Sequence, residues 1–416
     1  MPSDAAPKEG LRWRPGQLAS NGAVLLGWMV LRAAAQVALV VLLARMLGAQ
    51  PYGQVVAVVA TASFLVPFAG LGLSNMLLRN AARDPVHKGT YFAIALRWWR
   101  RTLLPCAALA VALALMLLPA GLPLAAVCAA TVVEVAAASA TELWARYRQA
   151  EQRTHVYGAI NAGLPLVRVL ALGLLFWFVA DADAAAVLWG YAASGVAYVL
   201  LLIGVRPRTT TETAAAKEPM AATSGLPFSV SALATRLQGE FNKPILAQVG
   251  FGLAGSFNVA QRAVDMACLP LLAMLEALWP RLYAQSNPIP QLWRTGLALI
   301  IIALGFGVAM WFAAPWLILV IGSDFHDAID TMKWLALLPT LQIGRNLITF
   351  HSIHRGWMRD ISNASISGGL TSVVAVSILI PSLGATGAVL GCYITEAVMS
   401  ATLLTLAFRN NQRKHS

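Results

Sequence analysis

The chain of 416 residues is 58% hydrophobic and only 12% charged, and its formal net charge is +12. A soluble domain usually contains about 25% charged residues, so this composition excludes a soluble enzyme, a disordered scaffold and a small disulfide-stabilised secreted module. It indicates an all-α polytopic membrane protein, because a hydrocarbon core of ~30 Å requires about 20 apolar residues per helix.

Apolar runs separated by polar or Pro/Gly-containing segments predict about 12 transmembrane helices, which we expect to form two six-helix bundles around a central cavity. We place the runs at about 20–46, 53–78, 102–120, 123–144, 157–180, 186–205, 227–250, 255–280, 295–321, 331–353, 361–381 and 386–408.

The longest polar segment, residues 206–226, is rich in Thr, Ala and Pro and predicts a flexible cytoplasmic linker. It separates an N-terminal bundle, residues 1–205, from a C-terminal bundle, residues 227–416. A weak internal repeat supports this division, since GAQPYG follows the first predicted helix and GFGLAG follows the seventh. GFGLAG also matches GxGxxG, but the strand that a dinucleotide site requires is absent, so we interpret it as a turn between helices.

The basic residues are distributed with a strong bias along the predicted topology. Of the 30 Lys and Arg residues, 22 lie in alternate loops and at the two ends of the chain. This bias predicts a multi-pass protein with both termini in the cytoplasm. It also argues against nucleic acid as a partner, because the basic residues are not gathered into one solvated region.

The other eight basic residues lie within the predicted helices. Arg45 and Lys333 are close to the outer ends of their helices and could extend to the interface. A charge at the centre of a membrane helix costs roughly 2.5–3.5 kcal/mol, so we expect the deep charges to face a water-filled cavity or one another. The deep bases are Arg32, Arg168, Arg236, Lys243, Arg262 and Arg345, and the deep acids are Glu134, Glu240, Asp265, Glu276 and Glu396.

Helical spacing places several of these residues on shared faces. Gln36 follows Arg32 by one turn, and Arg236, Glu240 and Lys243 are spaced i, i+4 and i+7. Pro244 predicts a bend in the seventh helix that could serve in gating.

Two interpretations of the deep charges remain open. Neighbours such as Arg236–Glu240 and Arg262–Asp265 could be intrahelical ion pairs that only neutralise each other. By contrast, the other three deep arginines have no acidic neighbour within a helical turn and are better candidates for an anionic ligand, since Arg suits bidentate phosphate contact. These three are Arg32, Arg168 and Arg345.

No metal or other cofactor is expected from the sequence. His351 and His354 have a spacing that could suit a metal, but no third ligand lies near them. The four cysteines are in apolar segments without a CxxC pair, and no Walker Lys, HExxH or GxSxG motif is present.

Two segments carry a family resemblance. Residues 42–83 contain a helix ending LLARMLG, then PYG, a second helix, and GLGLS followed by basic residues. Residues 253–282, LAGSFNVAQRAVDMACLPLLAMLEALWPRL, have an Arg in mid-helix and a closing Pro-Arg. Both segments resemble the polysaccharide-biosynthesis (Wzx-type) lipid-linked oligosaccharide flippases of the multidrug/oligosaccharidyl-lipid/polysaccharide exporter superfamily.

The resemblance implies a flippase that moves an undecaprenyl-diphosphate-linked oligosaccharide repeat unit across the bacterial inner membrane by alternating access, for surface polysaccharide or O-antigen synthesis. Glu240 and Asp265 are then candidates to bind a coupling H+ or Na+. Membrane lipids and polysaccharide polymerase machinery are further expected partners. The substrate cavity would be formed by Arg32, Gln36, Arg168, Arg236, Lys243, Arg262 and Arg345.

Two alternatives belong to other classes of protein. A cation-coupled multidrug antiporter on the same scaffold requires acidic residues to dominate the cavity and the arginines to be dispensable. A glycan polymerase or ligase requires catalytic groups on a sizeable outer loop, whereas the largest predicted outer loop has only about ten residues. We therefore expect the protein not to be an enzyme.

Overall fold

The computed structural model describes residues 15–179, 182–205, 220–283 and 289–412. Within these ranges the chain is all-α and contains no strand. Most of the predicted linker, residues 206–219, lies outside the described residues, so the proposed division into two bundles stays a prediction.

The helices follow the order of the predicted apolar runs. They are α1 Pro15–Leu47, α2 Ala49–Ser63, α3 Leu73–Arg83, α4 Lys88–Leu117, α5 Leu124–Ala150, α6 Thr154–Phe178, α7 Ala184–Gly204, α8 Leu226–Glu240, α9 Asn242–Val249, α10 Phe251–Tyr283, α11 Ile289–Ala313, α12 Leu317–Ile321, α13 His326–Leu335, α14 Leu338–His354, α15 Met358–Leu383 and α16 Ala385–Gln412.

Nine helical segments within the described ranges are long and apolar enough to cross a membrane. Each overlaps a predicted run, which confirms an all-α polytopic membrane fold. Two further predicted runs, 227–250 and 331–353, fall on pairs of shorter helices, α8–α9 and α13–α14, and the run 255–280 falls on the long helix α10.

The prediction of one continuous helix over 53–78 is wrong. The segment consists of α2, a 3-10 turn at Val66–Phe68, and α3. Gly70, Leu71 and Gly72 have φ values of +98°, +53° and +67°, respectively. Because these left-handed residues cannot continue a right-handed helix, α3 begins in a new direction.

The seventh predicted helix is interrupted at Phe241, close to Pro244, where the sequence predicts a bend. Helix α8 ends at Glu240, four residues before the proline, and α9 begins at Asn242. A proline ring clashes with the carbonyl four residues earlier, which explains why the helix is interrupted at this point. Whether the bend serves in gating stays a prediction.

The two turns of the predicted repeat contact each other. A Cβ on Gly53 of α2 would lie 1.7 Å from the carbonyl oxygen of Phe251, and a Cβ on Gly255 of α10 would lie 2.4 Å from that of Ala49. The contact is reciprocal, because the same offset along the chain separates 49 from 251 and 53 from 255. The two helices therefore approach at backbone distance, which only glycine permits.

A second close helix pair lies at the end of the chain. A Cβ on Gly387 of α16 would lie 2.3 Å from the carbonyl oxygen of Leu379 on α15. The GxxxG motif formed by Gly387 and Gly391 therefore packs within the monomer, where Gly391 faces Val376.

Candidate functional site

A cavity of about 480 Å³ lies between helices of the first and second halves of the chain. Helices α1, α2, α5, α6 and α7 contribute its walls on one side, and α8 and α10 contribute the other. Its charged lining consists of Arg32, Arg146, Arg168, Arg236, Arg262, Glu134, Glu142 and Glu240. Cations therefore exceed anions in the lining by two.

The structure brings most of the predicted site residues together. Arg32, Gln36, Arg168, Arg236, Arg262 and Glu240 line the cavity, whereas Lys243, Asp265 and Arg345 are not among its lining residues.

Arg32 and Arg236 reach the cavity from opposite halves. Both side chains are exposed, and neither forms a hydrogen bond or an ion pair with the described residues. Arg262 lines the same cavity, so guanidinium groups of α1, α8 and α10 share one space. A set of unneutralised cations converging on a cavity is suited to a polyanionic group.

Arg168 has a partner that sequence spacing could not reveal. It forms an ion pair with Glu134 of α5, and its guanidinium lies 4.4 Å from the ring centroid of Tyr191 on α7. Arg168 and Glu134 are both buried. The pair therefore joins three helices and leaves Arg168 less available to a ligand than Arg32.

Glu240 is surrounded by cations. Its Oε2 accepts a hydrogen bond from Lys243 Nζ, and its Oε1 lies 3.2 Å from Nη2 of Arg262 on α10. The proposed intrahelical pair Arg262–Asp265 is present at 3.9 Å. Glu240 is therefore held by Lys243 and by a neighbouring helix.

Arg345 lies apart from this cluster. Its Nε donates to Glu396 Oε2 on α16 at 2.7 Å, so the α14–α16 contact neutralises it. Among the predicted arginines without an acidic neighbour along their own helix, Arg32 alone lacks an ion-pair partner in the described part of the chain.

One end of the cavity is closed by residues that the sequence analysis did not assign to the site. Tyr52 accepts a hydrogen bond from Asn258 Nδ2 at 2.6 Å and meets the edge of the Phe325 ring. Arg45 donates to the carbonyl oxygens of Val320 and Leu319, at 2.6 and 2.7 Å. Arg45 therefore joins the two halves of the chain.

The cavity continues from this closed end toward the α5–α6 connection, where Arg146 and Tyr157 line it. On the side of Arg32, α1 packs mainly against α6, and in the described ranges it does not pack along α8. The predicted topology places the α5–α6 end on the cytoplasmic side. Across the described residues, no group of three or more His, Cys, Asp or Glu could hold a metal ion.

No known family model matches the chain. No curated protein matches it in sequence either. Solved structures do match, over nearly the whole chain. An inward-facing multidrug resistance MATE family transporter of the MOP superfamily matches with a TM-score of 0.71 and 15% identity, covering 92% of this chain and 96% of that one.

The lipid II flippase MurJ, in an inward closed conformation, matches with a TM-score of 0.70 and 11% identity, covering 94% of this chain and 87% of that one. An outward-facing MATE structure reaches a TM-score of only 0.59. The chain therefore has the fold shared by MATE transporters and MurJ.

Proposed function

We propose that the protein is a flippase for a lipid-linked glycan whose head group carries a diphosphate. The observation that carries the proposal is the pair Arg32 and Arg236, unneutralised and exposed in one cavity from opposite halves. A third cation, Arg262, is 38% exposed and shares the same space. These groups suit the phosphates of a polyprenyl-diphosphate sugar.

The polyprenyl tail explains why a side opening is useful. A diphosphate with sugars cannot cross the hydrocarbon core unaided, whereas the tail is soluble there. In the described ranges α1 and α8 are not closely packed, so the head group beside Arg32 and Arg236 could remain connected to the tail between these helices. Rocking of the halves would then carry the head group across.

The proposal extends to the cell in three respects. The substrate would be an undecaprenyl-diphosphate-linked repeat unit for surface polysaccharide or O-antigen synthesis. The membrane would be the bacterial inner membrane with both termini in the cytoplasm, and no catalytic step on the glycan is required. Coupling to H+ or Na+ stays a prediction, for which Glu240 and Asp265 are the candidates.

Binding of undecaprenyl diphosphate to the purified protein tests the proposal. A hydrogen bond to a charged group is worth about 1.5–3 kcal/mol, so Arg32→Gln and Arg236→Gln should each weaken binding roughly 10- to 100-fold. Native mass spectrometry measures the bound fraction. Arg97→Gln is the charge-matched control, because Arg97 is exposed on α4 and does not line the cavity.

A second assay distinguishes transport from binding. Vesicles containing the protein and a fluorescent undecaprenyl-diphosphate sugar should show movement of the head group between leaflets, which the two cavity substitutions abolish. The multidrug antiporter is the alternative, and the MATE-like fold favours it. Binding of ethidium with no binding of undecaprenyl diphosphate would replace the proposal with that alternative.

A further inference from the structure

Each carboxylate oxygen of Glu240 has a cationic partner among the described residues. Its Oε2 accepts from Lys243 Nζ, and its Oε1 faces the guanidinium of Arg262 at 3.2 Å. A carboxylate that binds Na+ must offer at least one oxygen directly to the ion. Both oxygens of Glu240 already have a cationic partner that belongs to the chain.

Lys243 is placed where it can remain bound to this carboxylate. It is 1% exposed, which makes it one of the largest fully buried side chains in the described residues. It lies in the first turn of α9, directly after the interruption at Phe241 and next to Pro244. A buried ammonium is costly unless it is paired, so the break between α8 and α9 fixes the lysine against Glu240.

The charges of the ion-paired groups around Glu240 balance only when Lys243 is included. Lys243 and Arg262 carry two positive charges, and Glu240 and Asp265 carry two negative charges. Arg236, one turn earlier on α8, is exposed in the cavity and forms no ion pair with Glu240 in the described structure. Without the ammonium of Lys243, the ion-paired groups would lack one positive charge, and Oε2 of Glu240 would have no cationic partner among them.

We propose that Lys243 is a tethered cation that occupies the coordination position of a monovalent metal ion at Glu240. The wild-type protein therefore does not bind Na+ through Glu240. Any coupling ion must bind elsewhere, and Asp265 is available, since its carboxylate is 48% exposed and lies 3.9 Å from its nearest cationic partner, Arg262. This assignment depends on the contacts of Glu240 and not on which substrate the cavity transports.

Binding of radioactive Na+ to the purified full-length protein tests the assignment. Wild type and Glu240→Gln should show the same Na+ binding, because Glu240 contributes nothing to it. Lys243→Ala frees Oε2 and should gain a single Na+ site. The double variant Lys243→Ala with Glu240→Gln should lose that site again.

A lysine at the surface provides the matched control. Lys333 pairs with Asp330 at 3.2 Å with the same spacing of three residues, but the carboxylate is largely exposed. Lys333→Ala should gain no Na+ site, because water solvates Asp330 when its partner is removed.

Two results would overturn the assignment. One is Na+ binding by wild type that disappears in Glu240→Gln, and the other is a Lys243→Ala variant that gains none. If Lys243→Ala is too unstable for the binding assay, the effect of Na+ on its melting temperature tests the gain of the site instead. Na+ should raise that temperature more than N-methylglucamine, because a ligand that binds only the folded state stabilises it. Equal effects of the two cations would count against the proposal.

Discussion

Breaking the buried ion pair between Arg168 and Glu134 should destabilise the protein far more than breaking an exposed pair would. Removing one partner of a buried pair costs about 3–5 kcal/mol, because the remaining charge is left without compensation. Glu134→Gln should therefore lower the melting temperature of the purified protein in detergent, since Arg168 would lose its anionic partner and keep only neutral ones, among them the ring of Tyr191 at 4.4 Å. Thermal unfolding followed by circular dichroism measures the change.

Removing both charges should be less damaging than removing one. The double variant Glu134→Leu with Arg168→Met places apolar side chains of similar volume in the same position and should recover much of the lost stability. A double variant that is less stable than either single variant would show that the pair itself, and not the unpaired charge, dominates.

Glu151, outside the membrane-spanning segments, should make stability depend on pH. Burial alone would raise the pKa of Glu151, but the hydrogen bond from Arg148 at 2.8 Å, together with Lys88 and Arg153, holds that pKa below its usual value. A carboxylate with a lowered folded-state pKa stabilises the protein above the unfolded value of about 4.3. This stability is lost as the pH falls through the lower folded-state pKa.

Glu151→Gln should therefore reduce the melting temperature at neutral pH and flatten its decline in acid. Melting curves of wild type and variant between neutral and strongly acidic pH measure both effects. Asp183→Asn is a suitable comparison, because Asp183 is exposed and forms no salt bridge in the described structure. Parallel curves for wild type and Glu151→Gln would contradict the expectation.

At the scale of single residues, the sequence could predict that deep charges face a cavity or one another, but not which of the two. Arg168 and Arg345 lack acidic neighbours along their own helices, yet Glu134 and Glu396 reach them from other helices. Helical spacing reveals only partners on the same helix, so pairs across helices require the fold. Arg32 has no ion-pair partner, as its own helix predicts, because no carboxylate of a packed helix in the described ranges pairs with it.

Among the helices, the contact of α2 with α10 should control whether the closed end can open. A Cβ on Gly53 would lie 1.7 Å from the Phe251 carbonyl oxygen, a distance that no structure tolerates. Gly53→Ala should therefore separate the two helices and favour an arrangement open at this end. A cysteine at Val56, which lines the cavity, should then react faster with an impermeant maleimide added from the outer side.

A glycine in the equivalent turn provides the control. A Cβ on Gly250 would meet no atom within 4 Å, and the backbone there has an extended φ of 176°. Gly250→Ala should therefore leave the reactivity of the cysteine unchanged. Equal reactivity in the Gly53→Ala and Gly250→Ala backgrounds would show that the glycine contact does not hold the end closed.

The sequence predicted the helices better than their interruptions. Apolar runs locate α5, α6 and α7 within about six residues, whereas α4 begins well before its run. Hydropathy averages over a window and therefore passes over a break such as that at Gly70–Gly72. The glycines and Pro67 of that segment were a usable local signal, whereas the positive φ of Leu71 requires the tertiary structure.

For the whole molecule, the repeat GAQPYG and GFGLAG proved the most informative sequence pattern. It suggested that the halves are equivalent, and the reciprocal contact of Gly53 with Gly255 shows that the repeated turns meet each other. The sequence did not indicate that this meeting closes one end of the cavity. Closure also depends on Tyr52, Asn258 and Arg45, whose contacts join segments more than 200 residues apart.

Arg45 should set the balance between the closed and open arrangements of the whole molecule. Its two hydrogen bonds to the carbonyls of Val320 and Leu319 exist only while the halves meet at this end. Each is worth about 1.5–3 kcal/mol, so Arg45→Gln should shift the closed-to-open ratio roughly 10-fold or more. Arg45→Lys should have an intermediate effect, because an ammonium cannot reproduce the planar two-pronged contact. The distance between spin labels at positions 50 and 323 should be shortest in wild type, longer in Arg45→Lys and longest in Arg45→Gln. A distance distribution in Arg45→Gln that equals that of wild type would contradict this role.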